Sequence, residues 1–187
     1  MKAPGSKDLM GSFLGILTLA SAKQSRLAET GEFLLLSMTS FIFPFLLSNQ
    51  LMVGIAVNAS LMGGALYMKG KNLIPVIILP SMGLLARGIV FGPATLYLLY
   101  MIPFIWLGNT ILVFSLKLFH LRMKKAYIPS ALAASVLKTA LLFSTAFALY
   151  SIGMIPVEFL AAMGIMQLAT AACASVAMAP IEKIRSG

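Results

Sequence analysis

ATLYLLYMIPFIWLGNTILVFSLKLF (residues 94–119), HLRMKKAY (120–127) and IPSALAASVLKTALLFSTAFALYSI (128–152) follow one another directly, and the reading of the short basic stretch decides the fold. Each apolar run exceeds the ~17 residues that a helix needs to cross a bilayer. A polar break carrying Arg122, Lys124 and Lys125 between two such runs marks a loop on the cytoplasmic side, where basic residues are retained.

Working outward, the same pattern repeats. Twelve of the fourteen Lys and Arg residues lie in four places: Lys2, Lys7, Lys23 and Arg26; Lys69 and Lys71; Lys117, Arg122, Lys124 and Lys125; Lys183 and Arg185. Between them run the apolar stretches Phe33–Ser48, Gln50–Met68, Leu73–Val90, Ala94–Phe119, Ile128–Ile152 and Val157–Pro180. The turns at Ser48-Asn49-Gln50, Phe91-Gly92-Pro93 and Gly153-Met154-Ile155-Pro156 carry no basic residue, so they belong outside. The expectation is an all-α integral membrane protein of the cell membrane with six transmembrane helices and both termini inside. Residues 1–32 form a cytoplasmic or interfacial segment, 33–180 the six-helix domain and 181–187 a cytoplasmic tail.

Leu9 to Ala22 is too short for an unaided span. It follows basic residues and ends in Ala20-Ser21-Ala22, as a signal peptide does, yet the polar segment after it leads straight into more membrane. An interfacial or re-entrant helix is the preferred reading. Taking it as a seventh span would carry Lys2 and Lys7 outside. Pro44, Pro75, Pro80 and Pro103 fall within spans, and two prolines in one span mark Leu73–Val90 for a bend or a partly unwound turn.

Composition supports the membrane reading. With 60% hydrophobic and 10% charged residues, a soluble fold would lack polar surface. The net charge of +9 is spread in short flanks of apolar runs rather than in a nucleic-acid-binding pattern, so anionic lipid of the bilayer or a cytoplasmic partner is the expected counter-charge, with no nucleic acid. Cys173 is the single cysteine, which excludes an internal disulfide and a cysteine-ligated metal site. The stretch from Gly64 to Gly70-Lys71 misses the phosphate-loop spacing and ends in Asn72. Paired carboxylates, a zinc-protease motif and a nucleophile elbow are all missing, and His120 sits in a basic loop. No enzyme, cofactor or metal site is expected.

Polar residues left inside the spans carry the functional reading. Arg87, Glu158, Asn49 and Gln50 share the outer level, Asn58 lies about 12 Å deep, Lys138 and Gln167 fall near mid-membrane, and Asn109 lies toward the cytoplasmic half. An ionisable side chain in the bilayer costs roughly 2.5–3.5 kcal/mol on insertion scales, so it marks a partner or a wet cavity. Arg87 can instead snorkel to headgroups, and Lys138 can rest on carbonyls freed by Pro75 or Pro80. Glu158 can pair with one cation but not both, leaving positive charge for an anionic ligand. Asn58 and Gln167 also suit helix–helix hydrogen bonding, and Ala169, Cys173 and Ala177, with Ala171, Ser175 and Ala179, make small-residue stripes for close packing.

Asn49-Gln50-Leu51, Leu79-Pro80-Ser81, Pro103-Phe104-Ile105, Leu107-Gly108-Asn109, Lys138 and Gln167 resemble stretches of the substrate-binding S components of energy-coupling factor (ECF) transporters. The likeness runs from about Phe33 to Pro180 and is closest to a branch of small six-span proteins sometimes labelled iron hydrogenase, a chemistry that one cysteine cannot support. The resemblance implies capture of a vitamin-like micronutrient or a metal ion from outside. It also implies, as partners, an ECF transmembrane coupling subunit and two cytoplasmic ATPases. Candidate substrate-binding residues are Asn49, Gln50, Asn58, Arg87, Asn109, Lys138, Glu158 and Gln167. Two other readings stay open: a non-catalytic membrane subunit or assembly scaffold of a larger complex, and a small secondary transporter working without an ATPase.

Overall fold

Apolar runs without water-facing polarity can satisfy their backbone only by helical hydrogen bonds, and helices are what form. The computed structural model describes residues 6–20, 25–91 and 95–186. Its helices are α1 (Ser6–Leu17), α2 (Arg26–Leu46), α3 (Gln50–Tyr67), α4 (Leu73–Phe91), α5 (Thr95–Leu116), α6 (Tyr127–Ser151), α7 (Glu158–Met163) and α8 (Ile165–Ser186). A short 3₁₀ turn, Gly70–Asn72, precedes α4, and a π-helical turn, Lys117–Arg122, continues α5. Gly92 and Pro93 of the expected turn, Ser21 and Ala22 of the small-residue triplet, and Lys2 and Lys23 lie outside the described residues.

Among the described residues five stretches are long and apolar enough to cross a membrane: Gln50–Tyr67, Gly70–Val90, Tyr97–Arg122, Tyr127–Ser151 and Glu158–Arg185. The sixth expected span, Phe33–Ser48, is the exception. Its helix begins earlier, at Arg26, and takes in Glu29 and Glu32. The apolar part from Phe33 to Leu46 is about 21 Å long at about 1.5 Å per residue, against a hydrocarbon thickness of about 30 Å.

Other boundaries moved for local reasons. α1 stops at Leu17, short of the expected Ala22. α4 is continuous, not unwound: Pro75 sits in its first turn, where no intrahelical donor is lost, and Pro80 is carried inside. The last expected span is divided at Gly164, whose backbone leaves helical angles (φ −102°, ψ −102°) and where a Cβ would press on the Leu160 carbonyl and the Phe143 ring.

The six long helices close into a ring, α2 on α4, α4 on α5, α5 on α6, α6 on α8, α8 on α3 and α3 on α2. Contacts of α3 with α4 and α5 cross that ring, making α3 its most enclosed member. From Asn58 to Tyr67 every residue of α3 but Ala59 is buried. Glycine permits the closest approaches. A Cβ on Gly54 would meet the Thr170 side chain of α8 at 2.7 Å, and one on Gly83 of α4 would run into the Phe41 carbonyl of α2.

One end of the ring gathers the basic residues and most of the acids. Glu29 pairs with Lys69 at 3.6 Å, Glu32 with Arg185, and Glu182 with His120 at 3.1 Å. The Arg185 guanidinium lies over the Tyr67 ring, 4.3 Å from its centroid. Lys117, read as a loop flank from its position, is fully buried instead. Its Nζ donates to the Met68 carbonyl at 2.8 Å, ending α3, and to the Leu19 carbonyl, holding the segment after α1.

Gly83→Ala should lower the melting temperature in detergent, costing about 1–3 kcal/mol, because backbone cannot yield as a side chain can. Gly31→Ala, on the exposed side of α2 where a Cβ meets nothing within 4 Å, should be neutral or stabilise by up to about 1 kcal/mol. Equal effects of the two would refute the close α2–α4 approach.

Candidate functional site

Two apolar clusters fill the ring. One, toward the basic end, includes Leu61, Leu66, Leu112, Leu116, Ala131 and Ala134; the other includes Met101, Leu142, Ala146, Ile155 and Met163. On α6 the change from one to the other falls between Ala134 and Leu142, and Lys138 stands there. On α5 it falls between Ile105 and Leu112, and Asn109 stands there. A polar layer therefore separates the clusters.

Three helices meet in that layer through one chain of hydrogen bonds. Lys138 Nζ of α6 donates to Asn58 Oδ1 of α3 at 2.8 Å, and Asn58 Nδ2 donates to Thr170 Oγ1 of α8 at 3.1 Å. Thr170 Oγ1 turns back on its own helix, to the carbonyls of Met166 at 2.8 Å and Gln167 at 3.1 Å. Lys138 is 2% exposed and Asn58 1%. Among the described residues no carboxylate pairs with Lys138, and the bond to Asn58 is the one it makes. A lysine side chain can donate three, so most of its capacity is unspent.

Asn109, equally buried, donates from Nδ2 to the Ile77 carbonyl of α4 at 2.9 Å, while its Oδ1 has no partner. Thr139 Oγ1, next to Lys138 in the chain, has none either. One turn away from Asn109 on α5, Trp106 Nε1 donates to Ser81 Oγ at 2.7 Å. Both bonds cross the α4–α5 contact, one from Asn109 and one to Ser81, a residue of each of two stretches singled out in the sequence.

The remaining sequence candidates stand apart from this layer. Asn49 is exposed and caps α3, its Oδ1 accepting from the amides of Leu51 at 3.0 Å and Met52 at 3.2 Å. Gln50 is exposed beside it. Arg87 donates to the Leu47 carbonyl at 2.6 Å, tying α4 to the end of α2. Glu158 is exposed at the start of α7, which packs mainly on α6 and α8, and no ion pair joins it to Arg87. Gln167 enters the layer through its backbone carbonyl. Thr170 was not singled out: in an Ala- and Ser-rich helix it reads as one more small residue. A pointer existed in its spacing of one turn from Met166, which suits a hydroxyl bonded back to its own helix. Of the small-residue stripes, Ala171 and Ser175 are buried, whereas Cys173 and Ala177 are exposed.

Two cavities lie at the basic end. The larger, about 260 Å³, is lined by Ser12, Gly15, Ile16, Leu19 and Arg122; the smaller, about 30 Å³, by Glu29, Tyr67, Met68, Lys69 and Asn72. No group of three or more His, Cys, Asp or Glu able to hold a metal is present among the described residues. Compared with protein-family models, curated proteins and solved structures, the chain finds no match.

Asn58→Leu should cost about 1–3 kcal/mol, because it leaves the Lys138 amine buried without its acceptor. Lys138→Met removes the amine and strands only the neutral Asn58 Oδ1, so it should cost less, about 1 kcal/mol. Melting temperatures in detergent give the order, and a Lys138→Met variant as unstable as Asn58→Leu would show that the amine is no burden to the fold.

Proposed function

We propose that the chain is the membrane-embedded substrate-binding component of an ECF-type uptake transporter, capturing a small anionic micronutrient from outside. In this reading six helices cross the cell membrane with both termini inside. Helix α2 is the short crossing, its Glu29 and Glu32 held at the inner face by Lys69 and Arg185. The basic end of the ring is cytoplasmic, and the end with Leu47, Arg87 and α7 faces outward.

One observation carries the binding role. A lysine buried in a membrane helix bundle, with a neutral amide as its partner and no carboxylate among the described residues, is a cost that a scaffold has no reason to bear. Unpaired Asn109 Oδ1 and Thr139 Oγ1 add donor-seeking oxygens in the same part of the bundle. A ligand with a carboxylate or phosphate for Lys138 and a donor for Asn109 would use this capacity. The resemblance of the Leu79-Pro80-Ser81 and Leu107-Gly108-Asn109 stretches to S components supports the same class, as does the lack of a nucleotide-binding motif, which leaves energy supply to partner subunits.

The scaffold reading draws on a different observation. Asn49, Arg87 and Lys117 all spend hydrogen bonds on backbone groups of this chain, as purely architectural residues do.

Native mass spectrometry of the purified protein should find a small-molecule adduct on the wild type that is lost from Lys138→Met. Absence of an adduct from a folded wild type, incubated with pooled micronutrients, would favour the scaffold. Uptake into cells should require co-expressed coupling subunit and ATPases; uptake without them would assign a secondary transporter.

A further inference from the structure

We infer that the cavity of about 260 Å³ between α1 and the π-helical turn is a site for the headgroup of an anionic phospholipid, with Arg122 on the phosphate. This rests on the membrane placement proposed above, which sets α1 at the inner leaflet.

The site is built rather than incidental. Three contacts hold α1 and the segment after it in place: Phe13 stacks on Phe114 of α5 with ring centroids 4.7 Å apart, Lys117 Nζ binds the Leu19 carbonyl, and Arg122 donates to Ser12 Oγ at 2.9 Å. The bond to Ser12 occupies one guanidinium N–H, so among the described residues the rest of the five-donor fork is free to meet phosphate oxygens. Lys124 and Lys125, both exposed, follow directly in the chain and raise the local positive potential. Of the acids, Glu182 pairs with His120, Glu29 with Lys69 and Glu32 with Arg185.

The rest of the lining selects lipid over a free ion. Ile16 and Leu19 offer an apolar wall next to the charge, and Gly15 leaves the volume open, since a Cβ there would meet nothing within 4 Å. A phosphodiester with an acyl-glycerol behind it matches both halves, whereas inorganic phosphate matches one. Basic pockets at the cytoplasmic side of membrane helices commonly take such headgroups.

The test is native mass spectrometry of the full chain extracted from membranes in detergent, with phosphatidylglycerol and phosphatidylcholine added at equal concentration. Phosphatidylglycerol should be retained about five-fold over phosphatidylcholine, the preference one well-placed basic residue gives. Arg122→Gln should abolish the preference. Gly15→Leu, which fills the cavity and keeps every charge, should abolish it too, while Lys71→Gln, an exposed basic residue at the same end, should leave it intact.

Loss in Lys71→Gln equal to that in Arg122→Gln would reduce the effect to diffuse charge. Retention in Gly15→Leu would place the lipid elsewhere, and displacement by millimolar inorganic phosphate would assign a free-anion site. Each of these overturns the proposal while the membrane reading stands. A chain recovered from the soluble fraction without detergent would instead overturn the membrane placement itself, and this site with it.

Discussion

A primary amine in the middle of an apolar helix bundle has to be met by something, and the interior of this molecule is arranged around that demand. Among the described residues Asn58 is the one side chain hydrogen-bonded to Lys138, and it reaches it because α3 is enclosed by its neighbours instead of lining the outside. An asparagine is suited to the position because it accepts with one end and donates with the other. Lys138 and Thr170, on helices α6 and α8, are thereby joined through a third helix. Moving α3 outward would strand an amine, an amide and a hydroxyl together.

The enclosure of α3 has its own sequence requirements. A helix packed by neighbours on several sides needs thin faces, and Gly54, Gly63 and Gly64 supply them, each against a side chain of a different neighbour: Thr170, Leu36 and Val76. Once α3 is central, the carbonyl that ends it at Met68 is buried too and requires a donor. Lys117 provides it, which explains why this cation is withdrawn from water although three other basic residues nearby remain in it. The same logic governs the acids. Glu29, Glu32 and Glu182 are spent at the basic end, so the charge surplus in the polar layer is not relieved from within the described residues.

Charge spacing and run length were enough to place the long helices, since both are properties of one dimension. Five stretches of sufficient length follow from them directly. The sixth differs because Glu29 and Glu32 are only admissible inside a helix once their partners are known, and Lys69 and Arg185 are remote in sequence. Depth along a helix was legible in the same way, and it put Lys138 and Asn58 among the candidates. Direction around the helix was not. Arg87 and Glu158 were expected at comparable levels, but Arg87 is bonded to the Leu47 carbonyl and Glu158 is exposed at the start of α7, so equal depth brought no ion pair. Asn49 was misleading for a local reason: a polar residue just ahead of an apolar run has capping as its first use, and both its amide contacts are to the next turn. Lys117 looked like the loop it adjoins until the π-helical turn carried the helix past it to Arg122.

The closing contacts at the basic end all join a late residue to an early one: Lys117 to Leu19 and Met68, Arg122 to Ser12, Glu182 to His120, Arg185 to Glu32. During synthesis the chain leaves the ribosome in the opposite sense, early segments first. The contacts of α1 and its following segment with Phe114, Lys117 and Arg122 therefore form only after α5 and the π-helical turn have been made, and the Glu32–Arg185 pair only after α8. Assembly of this face thus waits on α8, and a variant lacking the Arg185 guanidinium would lose the ion pair that ties the first long helix to the last.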